Sequence, residues 1–392
     1  MKWLSANLFL SLLVVGVVSS IARGLPNQRD LRRVGRAWDY NGQYVVLNAG
    51  VTGAKVWSAL DGKFLYNFKR SDRPLLDVRL SRCTPTLITC HLVPQGLGYD
   101  SPVLDPMRVW DLRTGKQLFA LPEASYGQFS HDGSTIFGLQ YPPGSYPRRR
   151  KPITKAPVLC AWDAKSGKRK FSVPLKGKTP PYSGYTLQES GDGTTLLLAY
   201  SDNWWVIEIA SGRVIQHITL MRGGGDDLQY INHSATLLRQ AGPVGITTSS
   251  LPAGQVTQLE LFPQIESSWQ TGWFHDGNAF AAVDNEGTLF SKGDRRVVKK
   301  GGNIGRPLSV LADNTNNFLI VHNLLPTVNK QLATAYDILT CEPVWQTSSW
   351  IFALWNNRAV AVDADRDPQQ VRITLLHLKD GYPIRTIVLE NR

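Results

Sequence analysis

The chain has 392 residues, 42% of them hydrophobic and 19% charged, with a formal net charge of +12. That supplies a large core and excludes a chain too polar to fold, and length by itself suggests two or three domains. The positive balance favours anionic partners such as acidic glycans, lipid headgroups, nucleic acid or acidic proteins.

In chain order, Met1-Lys2 is a short basic start and Leu8 to Val18 is an almost unbroken apolar run. Ser20 and Ala22 then stand at the small-residue positions that a signal peptidase prefers, which predicts a signal peptide over 1–22 cleaved near Ala22. The apolar run is shorter than the roughly 20 residues needed to span a bilayer. No Cys near the cleavage site could carry a lipid, and no later stretch is apolar enough to cross a membrane. Residues 24–392 are expected to form one domain, monomeric and outside the cytoplasm.

Past that segment the chain repeats itself, which decides the fold before any single motif does. Val56-Trp57-Ser58-Ala59-Leu60-Asp61-Gly62-Lys63 is followed by Val109-Trp110-Asp111-Leu112-Arg113-Thr114-Gly115-Lys116 and by Ala161-Trp162-Asp163-Ala164-Lys165-Ser166-Gly167-Lys168. Weaker copies lie at Val206-Ile207-Glu208 with Ser211-Gly212, Ile246 with Ala253-Gly254, and Leu289-Phe290 with Gly293-Asp294. The last two are Ala335-Tyr336-Asp337 with Thr340-Cys341, and Leu376-His377 with Asp380-Gly381. Each reads as apolar strand, tight turn, apolar strand, a β-hairpin written eight times.

A second hairpin precedes each one. Its turns fall at Asn41-Gly42, Cys83-Thr84-Pro85, Asp132-Gly133, Asp192-Gly193, Asn232-His233, Asp276-Gly277, Asn314 to Asn317, and Asn356-Asn357. Asx and Gly supply positive φ at low cost and match the twist of paired strands. Two hairpins make four strands, so an all-β fold of about eight four-stranded blades is predicted over 24–392. Seven blades plus an accessory segment is the alternative.

Phe129-Ser130-His131-Asp132-Gly133 and Val109-Trp110-Asp111 with Thr114-Gly115 resemble the two hairpin signatures of WD40-like repeat β-propellers. Ala161 to Gly167 is also similar to the repeat of pyrroloquinoline-quinone-type propellers. The resemblance covers essentially the whole chain after the signal, and it implies radially stacked blades with Trp57, Trp110 and Trp162 filling the gaps between them.

Sites of chemistry are scarce. There is no G-x-S-x-G elbow, Walker loop, H-E-x-x-H or complete G-x-G-x-x-G, and the seven histidines are scattered. The chain is read as no enzyme, with no catalytic residue, cofactor or metal. Asp111, Asp163, Glu208 and Asp337 share one repeat position and are expected to serve their hairpins. Asp226-Asp227 after Gly223-Gly224-Gly225 reads as an inter-blade connection, and Asn232-His233-Ser234 as a sequon usable only in a glycosylating host. Cys83, Cys90, Cys160 and Cys341 are expected to be unpaired thiols.

Two basic clusters stand out, Arg148-Arg149-Arg150-Lys151 and Arg295-Arg296 with Lys299-Lys300. The first lies in an insertion. From first turn to second turn the repeat spans 20 residues at Gly42 to Gly62 but 34 at Gly133 to Gly167. The excess falls at about 94–106 and 141–156, and 176–182 is a long link to the next repeat. In propellers such connections emerge on one face, which places Tyr99, Tyr141, Tyr146, Arg148, Arg149, Arg150, Lys151, Lys155, Lys176, Lys178 and Tyr182 on one partner-binding ridge. The expected partner is a protein or an anionic polymer, held by a binding or scaffolding module. Two other readings follow from the resemblance. A quinone-type propeller oxidoreductase needs a calcium-binding set of Asp, Glu and Asn, and no such set is identifiable. An envelope-assembly propeller shares the blade type, but the lipoprotein Cys of that family is missing here.

Overall fold

Turn chemistry organises the chain as its spacing suggests. The computed structural model describes residues 38–49, 52–69, 75–93, 103–104, 106–121, 124–140, 157–175, 185–190, 192–200, 203–219, the strands between 228 and 313, 318–325, 330–337, 340, 342–363 and 371–390. Among them there are eight antiparallel sheets and no α-helix. Sheet 1 holds Trp38–Tyr40, Tyr44–Asn48, Ala54–Ser58 and Phe64–Phe68. Sheet 2 holds Leu75–Leu80, Thr86–Val93, Met107–Asp111 and Lys116–Leu121, with Val103–Leu104 paired to Leu92 and Val93. Sheet 3 holds Ala124–Phe129, Thr135–Gln140, Val158–Asp163 and Arg169–Pro174. Sheet 4 holds Tyr185–Glu189, Thr195–Tyr200, Asn203–Glu208 and Val214–Thr219.

Sheet 5 comprises Leu228–Tyr230, Thr236–Ala241, Gly245–Ser250 and Val256–Leu261, and sheet 6 three strands, Thr271–His275, Ala279–Val283 and Leu289–Lys292. Sheet 7 holds Arg306–Asp313, Phe318–Leu325, Lys330–Asp337 and Pro343–Thr347; sheet 8 holds Trp350–Trp355, Arg358–Asp363, Arg372–His377 and Pro383–Val388. In every four-stranded sheet the strands lie in sequence order. This is a propeller-like all-β fold.

The repeat is exact at the level of register. Trp57 pairs Phe64, Trp110 pairs Gln117, Trp162 pairs Arg169 and Ile207 pairs Val214. Ser249 pairs Val256, Tyr336 pairs Pro343 and Leu376 pairs Pro383. Each pair lies next to a bulge at the same place in its hairpin. In five of these hairpins a glycine closes the turn with φ of 68–74° and bonds its N–H to the carbonyl four residues earlier. A bulge built on a left-handed glycine adds twist and fixes the register of the fourth strand.

Residue contacts divide the chain into two compact units. One comprises 1–71, 269–273 and 279–392; the other comprises 72–268 and 274–278. Within the second, strand alternation feeds two cores. Phe137, Leu139, Leu159 and Ala161 of sheet 3 pack with Leu196, Leu198, Trp205 and Ile207 of sheet 4. The opposite face of sheet 3, with Ile136, Cys160 and Trp162, packs with Ile88, Met107 and Val109 of sheet 2. Within the first unit, Tyr40, Val45 and Trp57 of sheet 1 pack with Trp350, Val360 and Ile373 of sheet 8. Ile320, Ala335 and Trp345 of sheet 7 pack with Ile351, Ala361 and Leu376 of sheet 8.

Two expectations change. The insertion at 94–106 contains paired backbone, the short strand Val103–Leu104. The three tryptophans are not equivalent either. Trp57 and Trp162 are buried, whereas Trp110 is half-buried and donates its indole N–H to Thr89 Oγ1 of its own sheet at 2.9 Å. An indole that satisfies its N–H locally keeps one edge at the surface.

Candidate functional site

Residues 94–102, 141–156 and 176–184 carry the expected ridge. Tyr99, Tyr141, Tyr146, Arg148, Arg149, Arg150, Lys151, Lys155, Lys176, Lys178 and Tyr182 therefore all lie outside the described residues. The second basic cluster, Arg295 to Lys300, also lies outside them.

The repeated acids serve their hairpins. Asp111 Oδ1 accepts the Arg113 backbone N–H at 2.9 Å and its Nε–H at 3.2 Å. Asp163 Oδ1 accepts the N–H of Lys165 and both the N–H and hydroxyl of Ser166. Glu208 takes the Ser211 hydroxyl, and Asp337 takes the Thr340 N–H at 3.0 Å. The Arg113 side chain holds Asp111 below the usual carboxylate range; the hydroxyls of Ser166 and Ser211 do the same for Asp163 and Glu208. Such carboxylates stay ionised and occupied by turn donors.

The first-hairpin turns are built alike. Ser130 donates to Asp132 Oδ1 at 2.5 Å while its own oxygen accepts the Thr135 N–H at 2.9 Å. Ser190 repeats both contacts with Asp192 and Thr195, at 2.6 and 3.0 Å. Glu189, buried at the end of the first strand of sheet 4, accepts the backbone N–H of His131 at 2.7 Å. It ties the turn of sheet 3 to sheet 4. Burial raises its pKa, opposed by the His131 N–H and reinforced by Asp132.

A carboxyl whose folded pKa is raised destabilises the fold as pH climbs through that pKa, because the folded state then gives up a proton it held more tightly. Glu189→Gln keeps an acceptor for His131 and removes the buried charge. The variant is expected to melt at or above the parent's temperature at pH 7, with the difference vanishing once pH falls below the ordinary carboxylate range. Thermal unfolding at both pH values checks this. A variant less stable than the parent at pH 7 would show that the ionised carboxylate is needed.

Arg113 is paired with Asp111 and Arg213 with Glu208. The sheet 3 hairpin carries Lys165, Lys168, Arg169 and Lys170, all exposed, and among the described residues none of them forms an ion pair. Instead Arg169 donates to Gln140 Oε1 and Lys170 to Thr135 Oγ1, both at 2.7 Å. Cys160, behind Arg169, has its thiol pushed up to about 11 by burial, so it is no nucleophile at neutral pH. Within 165–170 the three consecutive cations Lys168-Arg169-Lys170 read as an ordinary solvated turn. Comparing the repeats column by column sets Arg169 and Lys170 apart from Phe64-Leu65, Gln117-Leu118 and Val214-Ile215, while Lys168 is matched by Lys63, Lys116 and Arg213.

Among the described residues no His, Cys, Asp or Glu group could hold a metal ion, and no helix is long and apolar enough to cross a membrane. Cys83, Cys90 and Cys160 are thiols, not disulfides.

No family model matches the chain, and no curated protein does. Solved structures do match. The computationally designed Ika8 protein aligns at a TM-score of 0.57 with 15% identity, over 90% of this chain and 95% of its own. The dihydro-heme d1 dehydrogenase NirN, solved with DHE, aligns at 0.58 with 12% identity, over 90% and 74%. A eukaryotic initiation factor aligns at 0.57 with 11% identity, over 91% and 88%. At such identities the likeness is one of fold, and it extends along nearly the whole chain: the hairpin repeats read from the sequence are the four-stranded sheets of a propeller-like all-β protein.

Proposed function

We propose that this chain is an exported WD40-like propeller that acts as a non-catalytic binding or scaffolding module for a protein or an anionic polymer. The carrying observation is that cations exceed what the repeat requires. The connection of sheet 3 carries Arg148, Arg149, Arg150, Lys151 and Lys155, while the repeat of sheet 1 closes with a connection some fourteen residues shorter. The repeated acids face their own hairpins, where Asp111 pairs with Arg113 and Glu208 with Arg213. The apolar run at Leu8–Val18 before Ala22 supports export.

Exposed charges contribute little to stability. Converting Arg148, Arg149 and Arg150 to Ser together is therefore expected to leave the melting temperature nearly unchanged. Retention on an immobilised polyanion such as heparin is expected to fall several-fold, and the parent's binding to weaken with added salt because screening shortens the reach of surface charge. Undiminished binding by the triple variant would remove the ridge from the reading. Material recovered outside the cytoplasm is expected to begin near Arg23 by mass spectrometry; intact Met1 on cytoplasmic protein would refute export.

A further inference from the structure

The seven hairpins that share one register act as internal controls for one another. The residue paired across from the bulge is Phe64, Gln117, Val214, Val256, Pro343 and Pro383 in six of them, and Arg169 in sheet 3. The next position is Leu65, Leu118, Ile215, Thr257, Val344 and Ile384, and Lys170 in sheet 3. The fold therefore accepts an uncharged and mostly apolar residue at both positions, even where it is left in water: Leu118 is 45% exposed, Val344 42% and Ile384 46%. Among these seven, sheet 3 alone places two cations there, after Lys165 and Lys168 in the turn; the remaining hairpin, Leu289-Phe290 with Gly293-Asp294, carries Arg295 and Arg296 at the corresponding sequence positions, outside the described residues. Packing does not explain them.

Lys165, Lys168 and Arg169 are left available, whereas Lys170 lies in the field of Asp132 and Asp163. Asp163, the hairpin's own carboxylate, spends Oδ1 on Lys165 N–H, Ser166 N–H and the Ser166 hydroxyl. Arg169 is positioned by one neutral contact, Nη2 to Gln140 Oε1 at 2.7 Å, which leaves most of its guanidinium donors for another acceptor. A guanidinium steered by a neutral amide, with its remaining fork in water, suits a carboxylate or sulfate.

Resting on the reading above, we infer that the Lys165–Lys170 hairpin of sheet 3 is a contact surface for a linear acidic polysaccharide. A protein partner fits less well, because interface centres are apolar and depleted in charge, and this hairpin replaces the apolar residues of its siblings with cations. Single-stranded nucleic acid is bound on aromatic platforms, and residues 165–170 contain no aromatic. A chain of carboxylates or sulfates needs only spaced cations.

The test uses the full chain and three variants. The first is Lys165→Ser with Lys168→Ser and Arg169→Ser, sparing Lys170, whose ammonium contacts Thr135. The second removes equal charge from exposed positions of sheet 8, Arg372→Ser with Lys379→Ser and Arg385→Ser. The third is the Arg148, Arg149 and Arg150 to Ser change. Probes are polygalacturonate, heparin and oligo-dT, with affinity measured at fixed salt. The hairpin variant is expected to bind both polysaccharides about tenfold more weakly, since each lost cation removes one modest surface charge contact. The sheet 8 variant should change less than twofold. Equal losses in both variants, no loss in the hairpin variant, or a loss confined to oligo-dT would each overturn the inference. Loss in the Arg148–Arg150 variant alone would overturn it while leaving the proposed function standing. A parent that binds none of the probes would overturn this inference and the anionic-polymer reading together.

Discussion

Trp162→Ala is expected to destabilise the protein by about 3–5 kcal/mol, the range for truncating a fully buried aromatic. Trp162 is 3% exposed and sits in the core shared by sheets 2 and 3, among Ile88, Met107, Val109 and Ile136. These neighbours belong to strands held by their own ladders, so they cannot collapse into the space that the indole leaves. Chemical denaturation of parent and variant measures the loss. Trp110→Ala, at the equivalent register position, should cost clearly less because Trp110 is half-buried. A loss below about 1 kcal/mol at Trp162, the level of ordinary surface changes or little more, would mean that the two sheets are not packed through this residue.

Gly62→Ala is the other large effect. Gly62 has φ +74°, and an added Cβ would lie 2.0 Å from the carbonyl oxygen of Val388. The chain following sheet 8 is bonded to sheet 1 here: Glu390 N–H donates to Gly62 O at 3.0 Å and Phe64 N–H to Glu390 Oε2 at 3.1 Å. The Trp57 indole donates to Glu390 O at 2.9 Å. The methyl group must therefore displace backbone, not the tip of a flexible side chain. Left-handed backbone costs a non-glycine residue about 1–2 kcal/mol and forcing atoms into a packed joint about 1–3 more, so a loss of about 2–5 kcal/mol is expected. Gly193→Ala separates the two contributions. Its φ is +71°, but the nearest atom to an added Cβ is Glu189 Oε1 at 3.4 Å. It should cost only the conformational part. Equal losses at Gly62 and Gly193 would show that the joint between sheets 1 and 8 is not tight.

The basic character of sheet 3 was half legible from the chain. Consecutive charges at 148–151 announce themselves; Arg169 and Lys170 become informative only when set beside Phe64, Gln117, Val214 and their neighbours in register. That register rests on bulges, which a one-residue error in alignment would scramble.

Turns and hairpins could be read directly because their chemistry is local. Asn41-Gly42, Asp132-Gly133, Asp192-Gly193 and Asn356-Asn357 close first hairpins as expected, the last pair with positive φ of 44° and 59°. The glycines at 62, 115, 167, 212 and 381 close second hairpins. A residue that must take left-handed backbone declares itself whatever surrounds it. Burial and cross-sheet bonding were not local. Trp57 and Trp110 stand in the same motif, yet the Trp57 indole meets a carbonyl 333 residues away along the chain and the Trp110 indole a hydroxyl of its own sheet. Glu189 reads as an ordinary strand-end carboxylate until the fold sets it under the His131 N–H, 58 residues away. The chain alone determined where strands turn, since that depends on backbone preference within a few residues. The tertiary structure alone decided which side chains lose water and which donors they meet, since that depends on neighbours brought together from far along the sequence.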